Sequence, residues 1–449
     1  MKAHSWWKRF GFVLAAIALI GLIVLGWYAT RPGPMAFAAG KTVALDAYSG
    51  HPTGVPPDFS EKDLIARGRY LAQAADCKAC HTVSETKPYA GGLAFKTPFG
   101  TLYSPNITPD KKTGIGALSD ADFLKAMHEG VARDGERLYP AFPYAAYAYL
   151  TDDDVLAIKA YLFSLAPVTN EPPESDLRFP YNQRWLMAFW SGLFKPKQRF
   201  QPVSDRSSEW NRGAYLSEAL AHCGDCHTPR NVLQALDNKN KFTGAVVDGW
   251  RAYNITADSA SGVGSWSEAE LAQYLSTGHA NGRGTASGPM AQAVNLSFEK
   301  MTPSDIRAIV TYLRSVPAVA ASDLPASKAE PAPANPKQGV VAEIDPRGKQ
   351  VFEGACASCH DWTGVSLLDS RATLTGGRAV NDPTATNVAQ IMLSGSKWQP
   401  SGATLAMPAF GAAYSDREIA AVANYVTARF GTKASSITAE DVRKLRSTE

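Results

Sequence analysis

The stretch Cys77-Lys78-Ala79-Cys80-His81 has two counterparts further along the chain, Cys223-Gly-Asp-Cys226-His227 and Cys356-Ala-Ser-Cys359-His360, and the three stretches contain all 6 cysteines. Two thiols separated by two residues and followed directly by a histidine are the attachment signature of c-type haem. The histidine then serves as the proximal ligand of the iron. The sequence therefore predicts three covalently bound haem c groups, with Cys77, Cys80, Cys223, Cys226, Cys356 and Cys359 as attachment sites and His81, His227 and His360 as iron ligands.

Three other uses of paired cysteines explain the pattern less well. Structural zinc takes four ligands and needs no histidine directly after each cysteine pair. A thioredoxin-like pair belongs in a βαβ setting, and the sequence around these motifs does not have that pattern. Disulfides would suit an exported protein but leave the three histidines without a role.

Length and composition narrow the class of protein. A chain of 449 residues suits three small domains, and 45% hydrophobic residues are enough to build their cores. The net charge of +3 is nearly balanced, so we expect no nucleic-acid partner. The sequence contains no Walker loop, Rossmann glycine run, His-Glu-x-x-His motif or nucleophile elbow, so we expect no catalytic site apart from the haems.

The N-terminus carries a candidate membrane segment. Lys2, Lys8 and Arg9 precede an uncharged stretch, 10–29, which matches the ~20 residues that cross a bilayer. Basic residues ahead of such a stretch place the N-terminus in the cytoplasm and the rest outside. Ala36-Phe37-Ala38 resembles a signal-peptide cleavage site, but the apolar stretch is longer than a signal peptide needs. We expect a retained anchor in the inner membrane, with the haem domains on the periplasmic side.

The same pattern surrounds each haem motif, which divides the chain into three units. An arginine-glycine pair lies ahead of each motif, and a helical apolar pattern with an aromatic residue closes each unit. The arginine-glycine pairs are 67–68, 212–213 and 347–348, and the aromatic residues are Tyr161, Tyr312 and Tyr425. The glycine should let the first helix of a unit approach the last one closely. Units 1 and 2 also share an Asn-Ile-Thr stretch after the motif, at 106–108 and 254–256.

Crossed first and last helices around a Cys-x-x-Cys-His motif resemble class I cytochrome c. The resemblance implies an all-α fold with three tandem class I cytochrome c domains after an N-terminal transmembrane helix. We place the boundaries at 1–40 for the membrane anchor or signal segment, 60–167 for domain 1 (unit 1), 168–203 for an aromatic connector, 204–318 for domain 2 (unit 2), 319–343 for an Ala/Pro-rich linker, 344–432 for domain 3 (unit 3) and 433–449 for a C-terminal tail.

Two stretches, Tyr-Pro-Ala-Phe-Pro-Tyr at 139–144 and Glu-Trp-Asn-Arg-Gly-Ala-Tyr-Leu at 209–216, carry a closer resemblance. They are similar to the triheme cytochrome c subunits of membrane-bound dehydrogenases in acetic acid bacteria and related proteobacteria. This resemblance implies that electrons pass from a catalytic subunit of the molybdenum, quinoprotein or flavin type through three haems to ubiquinone, with a small third subunit as a further partner. Phe142 makes the first stretch most like that of subunits serving molybdenum enzymes, so aldehyde oxidation is the expected reaction.

Two other functions stay open at this point. Unit 1 could itself be a haem enzyme, with an open iron that handles peroxide. Alternatively, the chain could be a free-standing membrane cytochrome that donates electrons to an oxidase.

Class I cytochromes usually close the iron with a methionine from a loop before the last helix, and this ligand raises the haem potential. Met290 in unit 2 and Met407 in unit 3 stand at that place and are the expected sixth ligands. Unit 1 has Phe142 there, which cannot ligate iron. Met127 is the first substitute, with His128 and Met187 as the others, and a five-coordinate haem is the alternative.

The two connectors differ in composition. The aromatic connector, 168–203, has apolar residues at helical spacing, so we expect it to be partly helical. It could contact the membrane or quinone, or it could join unit 1 to unit 2. The Ala/Pro-rich linker, 319–343, predicts an extended spacer.

Overall fold

The computed structural model describes residues 3–29, 40–49, 63–333, 345–396 and 406–447. The candidate cleavage site at 36–38 and the last part of the Ala/Pro-rich linker lie outside these ranges. The N-terminal stretch forms one helix, α1 (Ala3–Ala29). Among the described helices, α1 is the one that is long and apolar enough to cross a membrane, a test that a signal sequence also passes.

Unit 1 begins with a helix that Asp63 caps, since its side chain accepts a hydrogen bond from the backbone N–H of Ile65. The fourth helix begins with a capping box between Ser119 and Asp122. The elements of unit 1 are α2 (Leu64–Ala74), α3 (Cys77–His81), β1 (Ala94–Thr97), β2 (Gly100–Tyr103), α4 (Asp120–Glu129), α5 (Tyr144–Tyr147) and α6 (Asp152–Ser164).

The aromatic connector folds back onto unit 1. Its strand β3 (Asp176–Leu177) pairs antiparallel with β2, with Gly100 opposite Leu177. It continues into helix α7 (Leu186–Phe194), which confirms that the connector is partly helical.

Unit 2 repeats the plan of unit 1 with additional short hairpins. Its elements are α8 (Ser208–Tyr215) with a π-helical turn (Leu216–Leu220), α9 (Gly224–His227), β4 (Ala245–Val247), β5 (Trp250–Ala252), α10 (Glu268–Thr277), β6 (His279–Ala280), β7 (Gly284–Thr285), α11 (Gly288–Leu296) and α12 (Pro303–Ser315). Short 3₁₀ turns lie at Leu45–Ala47, Asn238–Asn240 and Phe298–Lys300.

Unit 3 is the shortest of the three units. Its elements are α13 (Pro346–Val351) with a π-helical turn (Phe352–Cys356), α14 (Ala357–His360), a 3₁₀ turn (Ser370–Ala372), α15 (Thr386–Ser394) and α16 (Asp416–Phe430). The C-terminal tail adds α17 (Ala439–Arg446), which packs on α15 and α16.

In every unit the first and last helices cross at the glycine of the arginine-glycine pair. A Cβ atom on Gly68 would lie 1.8 Å from the carbonyl oxygen of Ala157, and one on Gly213 would lie 1.8 Å from that of Ala308. In unit 3 a Cβ on Gly348 would lie 2.3 Å from the Ala421 oxygen. Only glycine permits backbones to approach this closely, so the predicted role of these glycines is confirmed.

The expectation of an all-α fold is wrong in one respect, because seven short antiparallel strands accompany the helices in the described residues. The strands are two to four residues long, too short for a period-two hydrophobic pattern to reveal them. One of the hairpins did have a sequence signal. Asp248 and Gly249 both have positive φ, 49° and 75°, and connect β4 to β5 as an Asp-Gly turn of the type that hairpins favour.

Units 1 and 2 share one apolar core, whereas unit 3 has its own. The described part of the Ala/Pro-rich linker runs along units 2 and 3 and bonds to both. The carbonyl oxygen of Val319 accepts a hydrogen bond of 2.7 Å from Asn254, and that of Pro333 accepts one of 2.7 Å from Arg429. The described part of the linker is therefore packed against both units.

Candidate haem sites

Each Cys-x-x-Cys-His motif folds as a short helix that directly follows the first helix of its unit. The six cysteines are not joined to one another by disulfides. No cluster of three or more His, Cys, Asp or Glu side chains able to hold a metal ion is found among the described residues, so the zinc alternative gains no support.

The three motif histidines are held in the same way. The Nδ1 atom of His81 lies 2.8 Å from the carbonyl oxygen of Pro105, that of His227 lies 2.7 Å from Tyr253, and that of His360 lies 2.5 Å from Ala372. A carbonyl oxygen can only accept, so Nδ1 carries the proton. The Nε2 lone pair of each ring is then available to a metal.

Burial also lowers the pKa of these three imidazoles, an effect that the hydrogen bond to the carbonyl partly offsets. The rings are therefore neutral, as an iron ligand must be. The same backbone carbonyl thus fixes the tautomer and the orientation of each ring.

One continuous cavity of about 2460 Å³ reaches all three motifs and is lined mainly by apolar side chains. All six cysteines and all three histidines of the motifs lie on its wall. Pockets for single small ligands usually measure ~300–1,000 Å³, so this cavity has room for several large apolar groups. The donor set, the ring tautomers and the apolar wall fit covalently attached haem.

The three units place an equivalent residue on the cavity wall. Helices α4, α10 and α15 each end at a glycine with positive φ, namely Gly130, Gly278 and Gly395. Twelve residues later (142 − 130, 290 − 278, 407 − 395) stand Phe142, Met290 and Met407. All three side chains line the cavity, so this twelve-residue register aligns the two predicted methionine ligands with Phe142.

A second register position lies three residues before each of these glycines. It is occupied by Met127 in unit 1, Leu275 in unit 2 and Met392 in unit 3. These side chains are 6%, 8% and 5% exposed, and each belongs to the apolar core of its unit while touching the cavity.

The other two candidates for the sixth ligand of unit 1 differ in placement. His128 is buried, but it is not among the described residues that line the cavity, and its Nδ1 lies 3.7 Å from Asp152. Burial, followed by the nearby Arg199, lowers the pKa of His128 to about 4. Met187 lies on α7 and does line the cavity.

The motifs of units 1 and 2 are neighbours. The rings of Tyr147 in unit 1 and His222 in unit 2 pack edge to face with their centroids 5.7 Å apart. His222 directly precedes Cys223, the first cysteine of the unit 2 motif. Cys80 of unit 1 also lies near enough to Cys226 of unit 2 for the two side chains to interact electrostatically.

Unit 3 meets unit 2 at the segment that positions His360. The hydroxyl of Thr285 donates a hydrogen bond of 3.0 Å to the carbonyl oxygen of Arg371. The carbonyl oxygen of the following residue, Ala372, accepts the hydrogen bond from His360. In unit 2, Thr285 lies five residues before Met290 in the sequence. The three sites are therefore arranged with that of unit 2 in the middle.

The sequence profile of the cytochrome c family matches residues 65–166, and that of the family described as cytochrome C oxidase, cbb3-type, subunit III matches residues 344–426. A gluconate 2-dehydrogenase cytochrome c subunit from Pantoea cypripedii is 39% identical over 409 residues, which are 87% of this chain and 91% of that protein. The chain belongs to the family of dehydrogenase cytochrome c subunits. As such a subunit, it is an electron-transfer protein with covalently bound haem c.

Two further relatives show how widely this family of subunits occurs. The fructose dehydrogenase cytochrome subunit of Gluconobacter japonicus is 38% identical over 436 residues, 92% of this chain and 89% of that protein. One of the subunits of nicotinate dehydrogenase from Pseudomonas putida is 42% identical over 369 residues, 82% of this chain. The chain spans only 30% of that longer relative.

Sequence reasoning missed the three carbonyls that hold the histidines, although a signal for two of them was present. In this dehydrogenase cytochrome, the Asn-Ile-Thr stretches start directly after Pro105 and Tyr253. The side chain of Asn106 donates a hydrogen bond of 2.8 Å to the carbonyl oxygen of Val168 and thereby ties this stretch to the end of unit 1. Asn254 makes the equivalent bond of 2.7 Å to Val319. The repeated asparagine marks the turn that presents each carbonyl.

Proposed function

We propose that this chain is the three-haem relay subunit of a membrane-bound dehydrogenase, built from three cytochrome c domains within 60–167, 204–318 and 344–432. The observation that carries the proposal is the single cavity that joins three equivalent sets of two cysteines and one histidine. When bound, the haems supply reversible one-electron oxidation and reduction.

The residues of the chain hold and tune these groups. In each unit the two cysteines fix the group covalently, and the histidine ligates the iron through Nε2. The backbone carbonyl at Nδ1 keeps the ring in place. Met290 and Met407 act as sixth ligands in units 2 and 3, and the apolar wall excludes water. Both effects raise the potential of a haem.

The contacts between units support a relay in the order of the chain. Unit 2 touches unit 1 at its motif and unit 3 at the segment leading to Met290, so electrons that enter at one end reach the other through unit 2. The haem sites of neighbouring units share one cavity wall, and no described domain stands between them.

We place the chain in the inner membrane with its haem domains on the periplasmic side, and ubiquinone as its electron acceptor. Helix α1 contacts α7, and the ring of Trp27 near the end of α1 lies 4.4 Å from the Nζ atom of Lys239 in unit 2. Trp185, which directly precedes α7, and Phe189 on α7 are 61% and 67% exposed. An exposed aromatic surface beside a membrane anchor fits the bilayer interface, where a lipid-soluble quinone can reach the cavity.

The partner in this proposal is a catalytic subunit of the molybdenum, quinoprotein or flavin type, accompanied by a small third subunit. Relatives are named for gluconate, fructose, alcohol and nicotinate dehydrogenases, so the cytochrome alone does not fix the substrate. We propose an aldehyde as the substrate class, because Phe142 makes the 139–144 stretch most like that of subunits serving molybdenum enzymes.

The native complex tests this function. The full chain, purified from membranes in mild detergent, should bring a large catalytic subunit with it. Acetaldehyde, ethanol, gluconate, fructose and nicotinate should then be compared as reductants of the bound haem, followed by reoxidation with a ubiquinone analogue. Copurification with an oxidase and no dehydrogenase subunit would instead favour the alternative of a membrane cytochrome that donates electrons to an oxidase. Reduction by one of the other four substrates in preference to acetaldehyde would correct the substrate class alone.

A further inference from the structure

We infer that the iron ligated by His81 keeps its sixth position free and, when reduced, binds small neutral diatomic molecules such as carbon monoxide or nitric oxide. The inference rests on the proposed function, since it requires a haem in unit 1. It makes unit 1 differ in kind from units 2 and 3, and it can be tested independently of turnover.

The first step is the residue at the ligand position. Phe142 stands in the twelve-residue register at which unit 2 has Met290 and unit 3 has Met407. Its ring lines the cavity and packs edge to face against Tyr147, with the ring centroids 5.6 Å apart. A phenyl ring has no lone pair for iron, so the residue in this register supplies no sixth ligand in unit 1.

The second step concerns Met127. It occupies the packing position that Leu275 holds in unit 2, and leucine cannot be a ligand. Unit 3 has Met392 there in addition to Met407 in the ligand register. A methionine at this position therefore coexists with a complete ligand set elsewhere in the fold. Met127 fills core space, the common role of a buried methionine.

The third step concerns Met187. Helix α7 is fastened to the segment that carries Phe142, because Arg184 donates to the carbonyl oxygen of Arg137 at 3.2 Å and Ser191 lies 3.1 Å from the hydroxyl of Tyr144. Met187 sits between these two anchor points. Met187 is thus fixed on a helix outside the twelve-residue register, which is where units 2 and 3 have Met290 and Met407.

The surroundings of Phe142 also select the kind of ligand. The hydroxyl of Tyr147 donates to the carbonyl oxygen of Ala75 at 3.3 Å, and that of Tyr144 is engaged with Ser191. His128 is not on the described cavity wall. Polarity and hydrogen-bond donors at the open side of a haem decide whether oxygen species are bound or activated. The charged side chains of Glu136 and Arg184, which also line the cavity, are paired with one another at 3.0 Å. With these hydroxyls and charges engaged, the apolar ring of Phe142 suits a small neutral diatomic ligand.

Carbon monoxide titration of the dithionite-reduced, purified native complex tests the inference. The wild-type protein should bind one carbon monoxide per chain, with a haemochrome assay of three haems as the reference. Phe142→Met should abolish that binding and add a sulfur-to-iron charge-transfer band in the oxidised protein. The matched controls Met127→Leu, which copies unit 2, and Met187→Leu should both leave binding at one equivalent.

The outcomes separate the inference from the proposed function. Three haems with no carbon monoxide binding in the wild type would overturn the inference and leave the relay intact. New binding that appears only in Met127→Leu or Met187→Leu would also overturn it and identify the actual ligand. Fewer than three haems, or haems that no dehydrogenase reduces, would contradict the proposed function instead.

Discussion

The hydroxyl of Tyr215 in unit 2 donates a hydrogen bond of 2.6 Å to the buried carboxylate of Asp154 in unit 1. The reverse contact is also present, since the hydroxyl of Tyr70 in unit 1 donates one of 2.6 Å to Asp305 in unit 2. Each carboxylate is also paired with an arginine of its own unit, Asp154 with Arg67 and Asp305 with Arg212. Units 1 and 2 therefore contact one another through the same residues on both sides, as the two halves of a two-fold dimer do.

Unit 3 cannot form such a tyrosine–aspartate hydrogen bond with another unit. Three residues after its arginine, at the place of Tyr70 and Tyr215, it has Gln350. It is attached to unit 2 through polar contacts instead, such as the ion pair between Arg251 and the buried Asp382 at 3.0 Å. The shared core of units 1 and 2 and the separate core of unit 3 follow from this difference.

Removing either tyrosine hydroxyl should weaken the contact between units 1 and 2. Burial raises the pKa of both phenols well above its ordinary value, so they remain donors to a buried carboxylate. Tyr215→Phe and Tyr70→Phe should each lower the free energy of unfolding by about 1–3 kcal/mol, the cost of taking a hydrogen bond from a buried charged group. Denaturant unfolding of the purified protein measures this loss.

The chain offers a matched control for that experiment. Tyr425 in unit 3 is buried, and its hydroxyl has no hydrogen-bond partner among the described residues. Tyr425→Phe should change stability by much less than either substitution in units 1 and 2. Equal losses in all three variants would show that the hydroxyl contacts between the units contribute nothing specific.

A buried ion pair between residues on either side of the second haem motif should be sensitive to removal of one partner. Lys241 and Glu218 are 1% and 3% exposed at their side chains and form a salt bridge, and the hydroxyl of Tyr312 donates to Glu218 at 2.5 Å. Lys241→Met leaves the carboxylate buried without its cation and should cost about 3–5 kcal/mol. Thermal or denaturant unfolding measures the loss.

A double variant shows whether the lost stability comes from the unpaired charge or from lost packing around Lys241. Lys241→Met combined with Glu218→Leu removes both charges, so it should recover most of the lost stability. If the double variant is no more stable than Lys241→Met alone, packing around Lys241 matters more than the unpaired charge.

The number of covalent haems follows from the motifs. Denatured protein should give a pyridine haemochrome equal to three haems per chain. Replacing Cys77 and Cys80 together by alanine should lower it to two, because the other two motifs are intact. A count of two or fewer in the fully matured wild-type protein would contradict the assignment.

Replacing Met290 or Met407, which lie in the twelve-residue register, should affect a haem, whereas replacing Met392, three residues before Gly395, should not. Met290→Leu and Met407→Leu should each remove the weak sulfur-to-iron charge-transfer band of one centre and lower its potential, because thioether ligation raises haem potential. Spectra of the oxidised protein and a redox titration measure both effects. Met392→Leu is the control and should change neither. Persistence of the bands in the double variant Met290→Leu/Met407→Leu would rule out both ligands.

The features that could be predicted from the sequence alone are those set by residues close together in the chain. The haem motifs, the crossing glycines and the helical part of the connector depend on local spacing, so they could be recognised without the fold. The course of the linker past Asn254 and Arg429, and the carbonyls of Pro105 and Ala372, depend on residues far apart in the chain. The placement of His128 away from the cavity wall is a matter of tertiary packing that helical spacing leaves undetermined, since Met127 is its direct neighbour.

Helix α7 of the connector should have two separable roles. Trp190 is the residue that joins the units. Its Nε1 donates a hydrogen bond of 2.8 Å to the carbonyl oxygen of Leu233 in unit 2, and its ring packs on Tyr144 in unit 1. The notion of a membrane or quinone contact applies to Trp185 and Phe189, which are largely exposed.

Substitutions on the two faces of α7 should therefore cause different damage. Trp185→Ala with Phe189→Ala should lower ubiquinone reductase activity of the native complex several-fold, while activity with a soluble artificial acceptor and the unfolding midpoint stay unchanged. Trp190→Ala should lower the unfolding midpoint and both activities together, since it removes a hydrogen bond and a packed ring between the units. A joint loss of both activities in the Trp185/Phe189 variant would show that its exposed aromatic residues also serve the fold, and the proposed bilayer contact would then have to be withdrawn.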